Sequence, residues 1–73
     1  MTEELDTKGL MCPMPIVKLA KAMKGLGQGD ELLLLADDPG AKEDVPAWCR
    51  RTGNELVRTE EEAGTLKFWV KKV

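Results

Sequence analysis

The chain contains no histidine. That removes the side chain most often used as a general base near neutral pH, and with it the commonest zinc ligand. The only two cysteines, Cys12 and Cys49, lie far apart, so there is no C-x-x-C redox pair and there are too few ligands for a metal site. A disulfide-stapled secreted scaffold would carry more of them. Aromatic residues are scarce, with one phenylalanine, two tryptophans and no tyrosine, which leaves little to stack against nucleic-acid bases. Neither sign of charge dominates, since 11 Lys and Arg stand against 13 Asp and Glu, and this argues against a general nucleic-acid coat. The N-terminus is acidic, without an apolar signal segment, and the longest apolar run, Leu32 to Ala36, is far too short to span a bilayer. These absences lead us to expect a soluble cytoplasmic protein with no membrane association, no metal and no cofactor, in which at least one thiol stays reduced.

With 73 residues, the chain reads as a single domain over residues 1–73. A domain of this size buries only roughly 60% of its unfolded surface and has little room to enclose a substrate. Chemistry is therefore expected at the surface of a monomer, with part of the site supplied by a partner.

Six elements are legible. Leu5 and Thr7 alternate with Glu4, Asp6 and Lys8, which suits a short first strand. From Pro13 to about Leu26, the residues Ile16, Leu19, Ala20, Met23 and Leu26 recur at helical spacing, with Lys18, Lys21 and Lys24 off that stripe. Leu32 to Ala36 reads as a central strand buried on both faces. Asp37-Asp38-Pro39-Gly40 is a turn into a second helix, whose true start is expected at Pro46 with Asp44 as its cap. Val45, Trp48, Cys49 and Thr52 share the inner face of that helix, and Gly53-Asn54 stops it. Leu56 to Glu60 forms a third strand, Ala63-Gly64 a hairpin turn, and Leu66, Phe68 and Val70 the inner face of a fourth strand, opposite Trp69. The expected fold is an α/β two-layer sandwich in βαβαββ order, a four-stranded mixed sheet with two helices on one face. Because a strand–helix–strand crossover makes the first two strands parallel, their C-terminal ends share one sheet edge, where open α/β sheets place their sites.

Cys12-Pro13-Met14-Pro15 lies at that edge. A cysteine just before a helix faces free backbone N–H groups and the positive end of the helix dipole, which favour the reactive thiolate. Pro13 suits the first helical position and Pro15 the first turn, so the pair stiffens the helix start. Asp37 and Asp38 follow the second strand at the same edge. They serve as turn residues, and their charge opposes the dipole by raising the thiol pKa. The expected balance is a Cys12 pKa modestly below the ordinary thiol value. Met11, Pro13, Met14 and Pro15 flank the sulfur as candidate partner contacts, and Lys18 and Lys21 offer a basic docking stripe beside it. Cys49, next to Trp48, is read as core packing.

These residues resemble the TusA/SirA family of small sulfur-carrier proteins. The likeness begins at Leu5-Asp6 and runs through Gly9-Leu10-Met11-Cys12-Pro13-Met14-Pro15. It continues in Asp37-Asp38-Pro39-Gly40, in Asp44-Val45-Pro46-Ala47-Trp48 and in Gly53-Asn54-Glu55-Leu56. One departure is Met11, where many relatives carry a basic residue. The resemblance implies the βαβαββ sandwich. It also implies that Cys12 receives sulfane sulfur as a persulfide and passes it to an acceptor protein. The donor would be a cysteine desulfurase or a rhodanese, and the family serves tRNA thiolation, molybdenum-cofactor assembly and sulfur oxidation. Persulfide exchange needs an accessible thiolate and no separate acid or base, which fits a chain without histidine. Two other functions are set against this one. The first is a regulatory or RNA-binding module acting through Lys18, Lys21 and Lys24. The second is a thiol redox sensor in which Cys49 resolves an oxidised Cys12, which requires the two sulfurs to reach disulfide geometry.

Overall fold

Two parallel crossovers in the same direction decide which face of the sheet is covered. The computed structural model describes residues 2–73. It contains β1 (Thr2–Asp6), α1 (Met14–Lys24), β2 (Glu31–Ala36), α2 (Ala41–Thr52), β3 (Glu55–Glu62) and β4 (Thr65–Lys71). The strands lie in the order β1-β2-β4-β3; β1 runs parallel to β2, and β4 runs antiparallel to both β2 and β3. β3 is therefore parallel to β2, and α1 and α2 each close a parallel crossover, for which the right-handed form is the rule. Both crossovers step across the sheet in the same sense, which puts both helices on one face. The hairpin then slots β4 between β2 and β3. The result is the expected four-stranded mixed sheet with two helices.

The core lies between helices and sheet. Leu32, Leu34 and Ala36 of β2 and Leu66, Phe68 and Val70 of β4 face Leu19 and Met23 of α1 and Ala41, Val45, Trp48 and Cys49 of α2. Their alternation on the strands follows the two-residue period of the pleat. Burying each large apolar side chain contributes about 1.5–3 kcal/mol, so this layer supplies most of the driving force for folding.

The open face corrects the expectation for β2. That strand is central but buried on one face only, because no helix crosses behind it. Leu33 and Leu35 are half-buried there, and Leu33 pairs with Trp69 across the ladder. The Arg58 guanidinium lies 5.0 Å from the Trp69 ring centroid and pairs with Glu60, so Trp69 is partly covered by its own sheet.

Three boundaries differ from the sequence reading. α1 starts at Met14 and ends at Lys24, with Pro13 as its N-cap rather than its first residue. α2 starts at Ala41, with Pro46 inside it and no side-chain cap. The missing Pro46 N–H would have paired with the carbonyl of Lys42, an exposed residue, so the helix continues through it at small cost. β3 extends to Glu55–Glu62. Thr7 lies one residue beyond β1, buried, with its N–H and hydroxyl both donating to the Leu35 carbonyl at 2.8 and 2.5 Å. Thr52 is exposed instead of facing the sheet, and its hydroxyl returns to the Trp48 carbonyl at 2.8 Å.

Candidate functional site

The loop after β1 and the loop after β2 meet at one sheet edge, and carboxylates bind them together. Asp37 accepts the Gly9 N–H at 3.0 Å on each of its oxygens. Asp38 Oδ2 accepts the Cys12 N–H at 2.8 Å, while its Oδ1 accepts the Gly40 N–H at 3.3 Å. Gly9 makes the turn possible, since its φ of +86° is a left-handed value that L side chains rarely adopt. The Met14 N–H closes the bend over Cys12 by donating to the Met11 carbonyl at 2.8 Å. Asp37 and Asp38 thus stand at the Cys12 loop, as the shared strand ends require.

Cys12 is exposed and free. Its sulfur does not take up the backbone N–H groups of the helix. The Cys12 Sγ–H donates to Asp44 Oδ2 at 2.9 Å, from the first turn of α2. This corrects the expected acidity. The thiol pKa is raised above its ordinary value, first by the hydrogen bond to Asp44, then by desolvation, then by the charges of Asp44 and Asp38. With Pro13 at the N-cap, Cys12 lies one residue outside the helix. The dipole is weaker there than a direct hydrogen bond to an anion.

The surroundings of the sulfur are open. Met11 is 76% exposed and Met14 40%, and Val17 is exposed one turn further along α1. Pro13 is exposed as well, so these residues form an apolar rim that a partner could cover. Pro15, expected among the contact residues, is buried beneath the helix start and serves packing instead. Lys18, Lys21 and Lys24 are all exposed on α1. Cys12 lines neither of two adjoining depressions, of about 450 and 240 Å³, which lie between α2 and the β3–β4 hairpin around Lys42, Glu61 and Leu66.

Cys49 is buried on the inner face of α2, where burial raises its thiol pKa, and no disulfide joins it to Cys12. Among the described residues, no group of three or more His, Cys, Asp or Glu side chains is arranged to hold a metal ion. Among the described residues, no helix is long and apolar enough to cross a membrane.

Asp44 is the residue that sequence reasoning assigned wrongly. Placing the helix start at Pro46 made it a cap. Once α2 begins at Ala41, the same residue falls in the first helical turn, at the edge that carries Cys12.

Residues 3–72 match the family described as Sulfurtransferase TusA. The Bacillus subtilis protein YrkI is 48% identical over 68 residues, spanning 93% of this chain and 91% of YrkI. The sulfur carrier protein TusA of Allochromatium vinosum is 41% identical over 70 residues, spanning 96% of this chain and 92% of that protein. A SirA-like protein from Desulfitobacterium hafniense shares the fold, with a TM-score of 0.83 at 22% identity over 97% of this chain and 96% of that one.

Proposed function

The chain belongs to the sulfurtransferase TusA family, whose named relatives are sulfur carriers, and on that premise we propose that Cys12 is the atom-carrying residue of a persulfide relay. Cys12 accepts sulfane sulfur from a donor protein, holds it as Cys12–S–SH, and yields the outer sulfur to the thiolate of an acceptor protein. One observation carries this reading: the single exposed thiol sits on a loop clamped by Asp38, outside both depressions described above, with a rim of exposed Met11, Pro13 and Met14. Such a sulfur is presented outward to another protein rather than inward to a small substrate. The donor is a cysteine desulfurase or a rhodanese. The acceptor belongs to tRNA thiolation, molybdenum-cofactor assembly or sulfur oxidation. Lys18 and Lys21, exposed on α1, steer an acidic partner toward the sulfur. The deep burial of Cys49 speaks against the redox-sensor alternative, since a resolving thiol must reach an oxidised Cys12.

The relay is tested by following labelled sulfane sulfur from a loaded cysteine desulfurase or rhodanese to the chain and on to an acceptor thiol. Wild type and Cys49→Ser are expected to pass label, and Cys12→Ser to pass none. Label passed by Cys12→Ser would overturn the proposal.

A further inference from the structure

The Cys12 thiol donates its hydrogen bond to the Asp44 carboxylate. The Asp44 carboxylate lies 2.9 Å from Sγ. It is held there by its place in the first turn of α2, where the Asp44 N–H donates to the Gly40 carbonyl at 3.0 Å. It does not act as a cap, since no side-chain bond caps α2. Every ionisable group that shifts the thiol is a carboxylate, Asp44 from α2 and Asp38 from the loop before it. Asp37, the other carboxylate of that loop, is engaged by the Gly9 N–H. The ionisable residues of α1, Lys18, Lys21 and Lys24, are exposed and are not among the causes of the shift. The Cys12 thiol therefore keeps its proton more tightly than an ordinary cysteine and points it at the Asp44 carboxylate.

Sulfane-sulfur donors are themselves anions at neutral pH, because the outer sulfur of a persulfide or thiosulfonate is more acidic than a thiol. A thiolate attacking such an anion brings two negative charges together, whereas a thiol that passes its proton to the incoming sulfur avoids this. We propose that Asp44 is a catalytic residue of the loading step, relaying the Cys12 proton from Sγ to the arriving sulfur; this rests on the sulfur-carrier reading above. The Asp44 carboxylate takes the proton from Sγ. The freed electron pair on Sγ forms the new S–S bond to the outer sulfur of the donor X–S⁻. The bond between X and that sulfur breaks, and its electron pair leaves with X⁻. Asp44 then returns the proton to the transferred sulfur. The balance is Cys12–SH + X–S⁻ → Cys12–S–SH + X⁻. The sulfane sulfur moves from donor to Cys12, so no external oxidant or reductant is consumed.

The test uses the whole chain and benzenethiosulfonate, a donor whose single negative charge is constant over the working range. Loading at Cys12 is followed by intact mass from about pH 6 to 8, with iodoacetamide alkylation alongside, which reads thiolate alone and rises about tenfold per pH unit below the thiol pKa. Wild-type loading is expected to change by less than about twofold per pH unit across a range where the thiol form is constant. Asp44→Asn, nearly isosteric at a half-buried position, is expected to load with the tenfold slope of alkylation. Wild-type loading that rises in parallel with alkylation overturns the role of Asp44, and this arm decides even if the variant fails to fold. A flat profile in folded Asp44→Asn overturns it as well. Loading that survives Cys12→Ser, or no loading of wild type, overturns the carrier reading and the role of Asp44 with it.

Discussion

Asp38 holds the backbone of Cys12 across 26 positions of sequence, its Oδ2 accepting the Cys12 N–H at 2.8 Å. The same carboxylate reaches Gly40, so one side chain couples the sulfur loop to the start of α2. It also raises the thiol pKa through its charge. Asp38→Ala should therefore have two effects. Urea unfolding should show a loss of about 1 kcal/mol, the usual net worth of such a bond. Cys12 alkylation at a fixed pH should become faster, because one negative charge beside the sulfur is gone. A variant unchanged in both would show that the clamp does not operate.

Cys49 should be silent in sulfur transfer and audible in stability. Burial holds its thiol pKa above the ordinary value in the folded chain. A raised folded-state pKa adds stability that is complete below the unfolded thiol value, about 8.5, and is lost as pH rises through the folded value. Cys12 contributes in the same direction. Urea unfolding at about pH 7 and about pH 10 should show wild type weaker at the higher pH, and Cys49→Ala should lose less over that interval. At neutral pH, Cys49→Ala should cost about 1–2 kcal/mol from the emptied core position while loading of Cys12 is unchanged.

The hairpin turn carries a correctable local cost. Ala63 has φ of +50° and Gly64 of +82°, so both central residues are left-handed, the requirement of the turn that best matches strand twist. Alanine is a poor choice at such a position. Ala63→Gly should stabilise the chain by about 0.5–1 kcal/mol in thermal or urea unfolding, and destabilisation would contradict the assigned turn.

The two-residue period on the fourth strand and the helical spacing of Leu19, Met23, Val45, Trp48 and Cys49 were enough to read the order of elements and the inner faces. The crossover rule then placed Cys12, Asp37 and Asp38 at one edge. Less was legible where two signals compete. Pro46 reads as a helix start, but a proline whose would-be acceptor is exposed can lie inside a helix, and that one shift hid Asp44. The apolar run of the second strand reads as doubly buried, but burial of its outer face depends on which way the second crossover steps, which no local pattern encodes. The acidity of Cys12 is hidden for the same reason as the place of Asp44: the dipole is visible in the sequence, and the hydrogen bond to a carboxylate of the second helix is not.

Lys18 and Lys21, if they steer an acidic partner, should act through long-range charge. Reversing both to glutamate should slow transfer from a donor protein severalfold at low salt, and the difference should shrink as ionic strength rises and the Debye length falls below roughly 10 Å. Slowing that persists undiminished at high salt would mean that these lysines make direct contacts instead.

The most direct test of the persulfide relay is intact-mass measurement after incubation with a sulfane-sulfur donor. Wild type and Cys49→Ala should each gain one sulfur, about 32 Da, removable by a thiol reductant, as exchange at a single cysteine sulfur requires. Cys12→Ser should gain none. A sulfur adduct on Cys12→Ser, or its loss from Cys49→Ala, would contradict the assignment of Cys12 as the carrier.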